Sequence, residues 1–218
     1  MKIKLFLPLL LLTFSGCLSF ISYEDGKTIG KSKIEATSSL NIHQAPSIYF
    51  YENAKKMEAM SIFEYPNIAT SIKYGIGNKT DLYGKFSTNL GLSVGFKHNL
   101  LGDRSSRFAI ATGAEIGILI KPWLSQDAFS IPNIQIPIYT SYHTSDKFAA
   151  YLTPRYVYQF KFIDEVSDFN YFGGNFGILY GTKHKIGIDM GIYGVQVKDL
   201  GRLHIFNIGV GGKFMFGQ

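Results

Sequence analysis

Cys17, His143, Ser145 and Ser93 are the side chains whose types and spacing most suggest chemistry. His143-Thr144-Ser145 sets an imidazole two residues from a hydroxyl, the pair that general-base activation of a nucleophile requires. In a polar turn such a pair is usually just solvated. Gly91-Leu92-Ser93-Val94-Gly95 matches the Gly-x-Ser-x-Gly pattern, but that motif needs a strand, a sharp turn and a helix, and Ser93 lies inside an alternating run. Asp25, Asp103 and Asp168 fall in loops without an evident base partner. His43, His98, His143, His184 and His204 form neither a His-Glu-x-x-His motif nor an i, i+4 pair, so no metal site is expected. No phosphate-binding loop and no cofactor motif appear. Catalysis is therefore not expected, and a lipid-modifying enzyme at a membrane face is kept as the alternative.

Cys17 is the only cysteine, so it forms no disulfide within the chain and its position gives it meaning. Lys2 and Lys4 precede an apolar stretch, Leu5 to Leu12, that is too short to span a bilayer, and Ser15-Gly16 follow. Residues 1–16 thus read as an export signal. Phe14-Ser15-Gly16-Cys17 resembles the lipobox of bacterial lipoproteins, with Phe14 where Leu is more usual. The resemblance implies that Cys17 becomes an acylated N-terminus and that membrane lipid is its partner. Cleavage slightly later by the ordinary signal peptidase is the other reading. Leu18 stands where an Asp marks inner-membrane retention in enteric lipoproteins. Residues 17–29 then read as a lipidated tether and 30–218 as the folded domain.

The 218 residues are 46% hydrophobic and only 17% charged, too apolar for a disordered chain. Removing the leader with its two lysines lowers the net charge from +6 to +4, which without a clustered patch does not point to nucleic acid. The 14 Tyr, 18 Phe and 23 Gly favour strands and tight turns.

From Gly30 onward the dominant signal has period two, which puts successive side chains on opposite sheet faces. Ten segments carry it: Lys33 to Ile42, Asn67 to Ile76, Asp81 to Asn89, Leu92 to Leu100, Phe108 to Ile120, Ile134 to Tyr142, Phe148 to Phe162, Phe172 to Tyr180, Lys185 to Tyr193 and His204 to Phe216. Their lengths fit the roughly 9–11 residues that a tilted strand needs to cross hydrocarbon. Pro137 and Pro154 fall inside two of them and suggest bulges or displaced strand ends. Short polar turns occur near Gly77-Asn78-Lys79-Thr80, Gly102-Asp103-Arg104, Thr144-Ser145-Asp146 and Thr182-Lys183-His184. Longer stretches, His43 to Pro66, Lys121 to Asn133, Ile163 to Asn170 and Gln196 to Leu203, fall at most alternate connections. Glu52 to Glu58 suggests one or two helical turns.

This pattern resembles bacterial outer-membrane β-barrels, which combine short periplasmic turns with long external loops. The expected fold is all-β: a single antiparallel up-and-down transmembrane barrel of about ten strands (8–12). His143-x-Ser145 has a spacing similar to that of lipid A deacylases, yet this topology places it at a periplasmic turn. Gly211-Gly212-Lys213-Phe214-Met215-Phe216 resembles the C-terminal signal read by the barrel-assembly machinery, with Gly217 and Gln218 following where an aromatic usually ends the chain. The resemblance implies a porin-like Gram-negative outer-membrane location.

The apolar face is assigned to lipid and the other to the lumen, which then carries Lys33, Glu35, Lys73, Lys85, Lys97, Glu115, Arg155, Lys161, Lys185, Asp189 and Lys213. Inward glycines, among them Gly75, Gly95, Gly113, Gly177 and Gly191, reduce filling and admit a narrow cation-lined pore for a small anionic solute. A salt-bridged structural interior is the blander reading. Trp123, Tyr139, Tyr142, Tyr156 and Tyr158 suit interfacial aromatic girdles. The expected role is structural, adhesive or narrow-pore. The rival fold is a lipid-anchored, lipocalin-like periplasmic barrel with the apolar face turned inward around a hydrophobic ligand.

Overall fold

A computed structural model describes residues 22–44, 46–51, 54–59, 66–88, 91–121, 129–160, 168–197 and 201–217. The described strands are β1 (Ile34–His43), β2 (Pro46–Tyr51), β3 (Ala54–Ala59), β4 (Pro66–Gly75), β5 (Thr80–Ser87), β6 (Gly91–Leu101), β7 (Phe108–Lys121), β8 (Phe129–Ser145), β9 (Phe148–Gln159), β10 (Phe169–Tyr180), β11 (His184–Val197) and β12 (Gly201–Phe216). Ten of them close a barrel in the order β1-β12-β11-β10-β9-β8-β7-β6-β5-β4, every pairing antiparallel. Closure comes from β12 on β1, with Ile34 opposite Phe216 and His43 opposite Asn207. The barrel has no open edge, so each of its ten strands pairs with a neighbour on both sides.

The alternation decides the facing. Ile72, Leu82, Val94, Ile116, Ile136, Leu152, Phe172, Ile188 and Val210 point outward and are exposed, while Lys73, Lys97, Glu115, Thr153, Asn175 and Asp189 point inward and are buried. The lipocalin-like facing, with apolar residues inside, is therefore not the one adopted.

Several details depart from the sequence reading. Of the segment expected to make helical turns, Ala54 to Glu58 lie instead in strand β3, paired with β2 in a separate hairpin between β1 and β4, and residues 52–53 lie outside the described residues. The stretch Gln196 to Leu203 is not a long connection, because β11 and β12 extend to Val197 and from Gly201. Neither Pro137 nor Pro154 shifts the register: β8 and β9 run through both, and the irregularities lie at Asn99/Leu101 and His143/Ser145 instead. A proline costs one ladder donor, and neighbouring pairs keep the alignment.

The inward glycines serve packing. Tyr83 faces Gly95, Tyr151 faces Gly177 and Tyr193 faces Gly173 across neighbouring strands. A Cβ on Gly177 would sit 2.4 Å from the Tyr151 hydroxyl, and one on Gly95 would sit 2.7 Å from the Tyr83 ring. The glycines therefore make room for tyrosine rings rather than open a channel. Tyr139, expected in a girdle, is also fully buried inside, whereas Tyr142 is exposed; Trp123 lies outside the described residues. Gly177→Ala should destabilise the barrel by about 1–3 kcal/mol, the usual cost of overpacking. Gly84→Ala, with the nearest atom 3.8 Å away, should be tolerated. Urea midpoints of the refolded variants check this contrast.

Candidate functional site: the barrel lumen

The most consequential residues lie in the segment that the sequence reading made a tether. Ser22 to Gly30 have no regular secondary structure, yet all but Lys27 are buried. The chain runs inside the barrel from Ser22, whose hydroxyl donates to Thr153 Oγ1 at 3.3 Å midway along β9, to Gly30, packed against Gly75 at the end of β4. Along the way the Gly26 amide donates to Ser141 Oγ (2.9 Å), the Ile29 amide to the Asp81 carboxylate (3.1 Å) and the Thr28 hydroxyl to the Asn78 carbonyl (2.8 Å). Gly26 must be glycine, because a Cβ there would lie 2.3 Å from the Ala109 carbonyl. Gly30 takes φ +87°, a left-handed conformation that glycine adopts without strain. It turns the segment into β1.

Two adjacent carboxylates in this segment meet the lumen lysines. Lys73 donates to both oxygens of Glu24 (2.6 and 2.5 Å) and to Glu35 (3.1 Å). Lys97 donates to Glu24 (3.1 Å) and to the Asp25 and Lys27 carbonyls (2.6 and 2.7 Å). Lys185 reaches Asp25 at 3.1 Å, and Lys213 reaches Glu35 at 3.0 Å. Burial opposes ionisation of Glu24, but the Lys213, Lys73 and Lys97 ammoniums outweigh it and hold its carboxyl well below the usual range. Asp25 is likewise lowered against its burial, by Lys185, Lys213 and Lys97. By charge, Lys73, Lys97, Lys185 and Lys213 stand against Glu35 and Asp81 on the strands, 4 − 2 = +2. Glu24 and Asp25 bring the balance to zero.

A second network centres on Glu115. Its carboxylate accepts from Tyr83 (3.2 Å), Lys85 (2.6 Å), Ser93 (2.7 Å) and Gln135 (3.1 Å). Gln135 in turn accepts from Arg155 at 3.2 Å. A third holds Asp189, which accepts from Tyr151 and Asn175. Glu115, accepting from four donors, has no acceptor capacity left for general-base work. The remaining charged candidates sit differently: Lys33 is half-buried at the short-turn mouth, and Lys161 and Cys17 lie outside the described residues.

His143 pairs with Ser141 (Nε2 to Oγ, 3.0 Å) rather than with Ser145. Gly26 covers that hydroxyl, and Ser141 is 2% exposed, so no substrate has room to approach it. Ser93 is held by Glu115 inside β6. Among the described residues no group of three or more His, Cys, Asp or Glu could hold a metal. Toward the long-connection mouth the interior turns apolar, with Val157, Phe169, Tyr171, Tyr193, Val195, Val197 and Ile205 packed together. The sequence reading missed this cluster. Its signal was present in Gly194-Val195-Gln196-Val197, where apolar residues take the inward phase.

No family model matches the sequence. No curated protein matches it either. Solved structures similar to the chain include the NanC porin (11% identity, 83% of this chain and 98% of that one, TM-score 0.42). An outer membrane channel from Pseudomonas putida F1 is similar at 9% identity over 91% and 98%, with TM-score 0.45. Ail, the attachment invasion locus protein of Yersinia pestis, is similar at 7% identity over 85% and 99%, with TM-score 0.33. Likeness at this level says nothing about solute, partner or activity.

Glu24→Gln should lower stability by about 3 kcal/mol, since removing one partner leaves buried charge uncompensated. Asp103→Asn, in an exposed turn, should change it little. Because the folded Glu24 and Asp25 sit below the unfolded carboxylate range of about 4, their contribution is present above that range and is lost as pH falls through the folded values. Urea titrations from neutral to acid pH should show the wild type losing stability below about pH 4, and a Glu24→Gln/Asp25→Asn variant losing less over the same interval.

Proposed function

We propose that this chain is a non-enzymatic outer-membrane β-barrel of a Gram-negative bacterium, structural in role and closed in its folded state by its own N-terminal segment. The single observation that carries the reading is the burial of Ser22 to Gly30 against the lumen lysines. The anion that these lysines hold is the protein's own Glu24 and Asp25, which argues against an open anion pore. Membrane residence rests on the exposed apolar belt around a closed barrel, since such a continuous surface is unfavourable in water and suited to hydrocarbon. Acyl chains on Cys17 would add to that anchoring. Residues 18–21 would then link the anchor to the interior segment. The C-terminal Phe214 and Phe216 face outward on the closing strand β12, where the barrel-assembly machinery could read them.

Outer-membrane fractions run on gels with and without boiling should show different mobilities for a folded barrel. The intact protein in planar bilayers should give no sustained conductance. Steady conductance by the intact, folded protein would overturn the closed reading. Ile116→Lys/Ile118→Lys should block membrane assembly, since a lysine at mid-bilayer costs about 2–4 kcal/mol. Normal assembly of that variant would remove the membrane assignment.

A further inference from the structure

The short-turn mouth of the barrel holds a cavity that the closed interior does not use. It has a volume of about 480 Å³ and is half enclosed, within the range of small-molecule clefts. Its cationic lining is Lys27, Lys33, Arg104, Lys183, Lys185 and Lys213. Its carboxylates are Asp25, Glu35 and Asp146, so the balance is 6 − 3 = +3. Two cations are already matched inside the wall, Lys185 by Asp25 and Lys213 by Glu35. Lys27 donates to the Arg104 carbonyl at 2.9 Å and has no carboxylate at ion-pair distance, with Asp25, Asp103 and Asp146 acting on it from farther away. Lys33, Arg104 and Lys183 have no carboxylate within ion-pair distance among the described residues, and the acids left near this mouth are Asp146 in the lining and Asp103 beside Arg104.

The four unmatched groups reach the cavity from four separate places: the interior segment, the entry to β1, the β6–β7 turn and the β10–β11 turn. Like charges converge there although the turns are otherwise solvated, and each could have pointed away. Burial lowers the Lys27 pKa, against the carboxylates of Asp25, Asp103 and Asp146 and with a smaller contribution from Lys185.

We propose that this mouth is a binding site for a phosphate monoester or diphosphate. A net charge of +3 in so small a space asks for at least two negative charges on one ligand. A phosphate monoester supplies about −1.5 to −2 at neutral pH in a compact group with three acceptor oxygens. Arg104 offers a planar fork suited to two of those oxygens, and the lysines act as point charges around it. The floor carboxylates, committed to Lys185 and Lys213, set a depth limit, so the anionic group binds at the rim turns and not in the lumen.

Lys33→Ser/Arg104→Ser/Lys183→Ser leaves the interior network untouched, and its folding is checked by the heat-dependent gel shift. With the full-length protein in zwitterionic detergent at low salt, calorimetric titration with inorganic pyrophosphate should give saturable binding. The triple variant should weaken it by about tenfold or more, that is, by at least about 1.4 kcal/mol. Asp146→Asn should tighten it. A parallel arm measures the protein's binding to phosphatidylcholine vesicles with and without phosphatidic acid. Saturable pyrophosphate binding indicates a soluble phosphate ligand. Capture by phosphatidic acid alone, again lost in the triple variant, indicates a lipid headgroup as the source. Absence of binding in both arms, or binding that the folded triple variant retains in full, overturns the proposal.

Discussion

Four lysines turned into one half of a narrow barrel are a constraint before they are a feature. Taking an ammonium out of water is expensive unless charge and hydrogen bonds are returned to it. The strands return part of it: Glu35 and Asp81 face the same space and leave two charges over. The rest comes from outside the strand pattern, from Glu24 and Asp25 on a segment with no regular structure. The same hydrogen bonds that satisfy Lys73 and Lys97 therefore hold the segment in the lumen, and its backbone amides are satisfied in turn by Asp81 and Ser141.

The wall follows from simpler physics. Period-two alternation gives an apolar exterior and a polar interior, and closure of β12 on β1 removes the edge that either surface would expose. Inside, volume is settled pairwise. Tyrosines at 83, 151 and 193 lie over glycines on the next strand, so a chain rich in both residues fills a lumen that glycine content alone would make look empty. Polar hubs at Glu115 and Asp189 then tie these tyrosines and their neighbours into hydrogen-bonded networks. An interior fixed in this way is suited to rigidity, and its remaining free charge collects at the mouth of the short turns.

Much of the fold was legible in the sequence, because Ile116, Ile118 and Ile120 or Ile186, Ile188, Met190 and Ile192 alternate without interruption and leave one choice of facing once the barrel is closed in lipid. The turns at Gly77 to Thr80 and Gly102 to Arg104 were legible for the same reason. The interior segment was not. Ser22 to Gly30 lacks periodicity, and its Asp25-Gly26 reads equally well as a solvated turn. Only the three-dimensional neighbourhood shows that Gly26 passes the Ala109 carbonyl and that Glu24 lies among lysines from β4, β6 and β12. The partnership of His143 with Ser141 was hidden by assigning the residue to a turn, where β8 in fact runs on to Ser145. The role of the glycines was hidden because cross-strand partners depend on register, which a single sequence specifies weakly.

The central claim is that residues 22–30 fill the lumen of the folded protein. The most direct test places cysteines at Ser22 and Thr153, whose hydroxyl oxygens are 3.3 Å apart, in a Cys17→Ser background refolded in detergent. Mild oxidation followed by mass spectrometry of the digested protein should recover a disulfide joining the segment to the middle of β9, with both thiols protected from a bulky polar maleimide before oxidation. Rapid labelling of the cysteine at position 22 in the folded barrel, with no cross-link formed, would contradict the account.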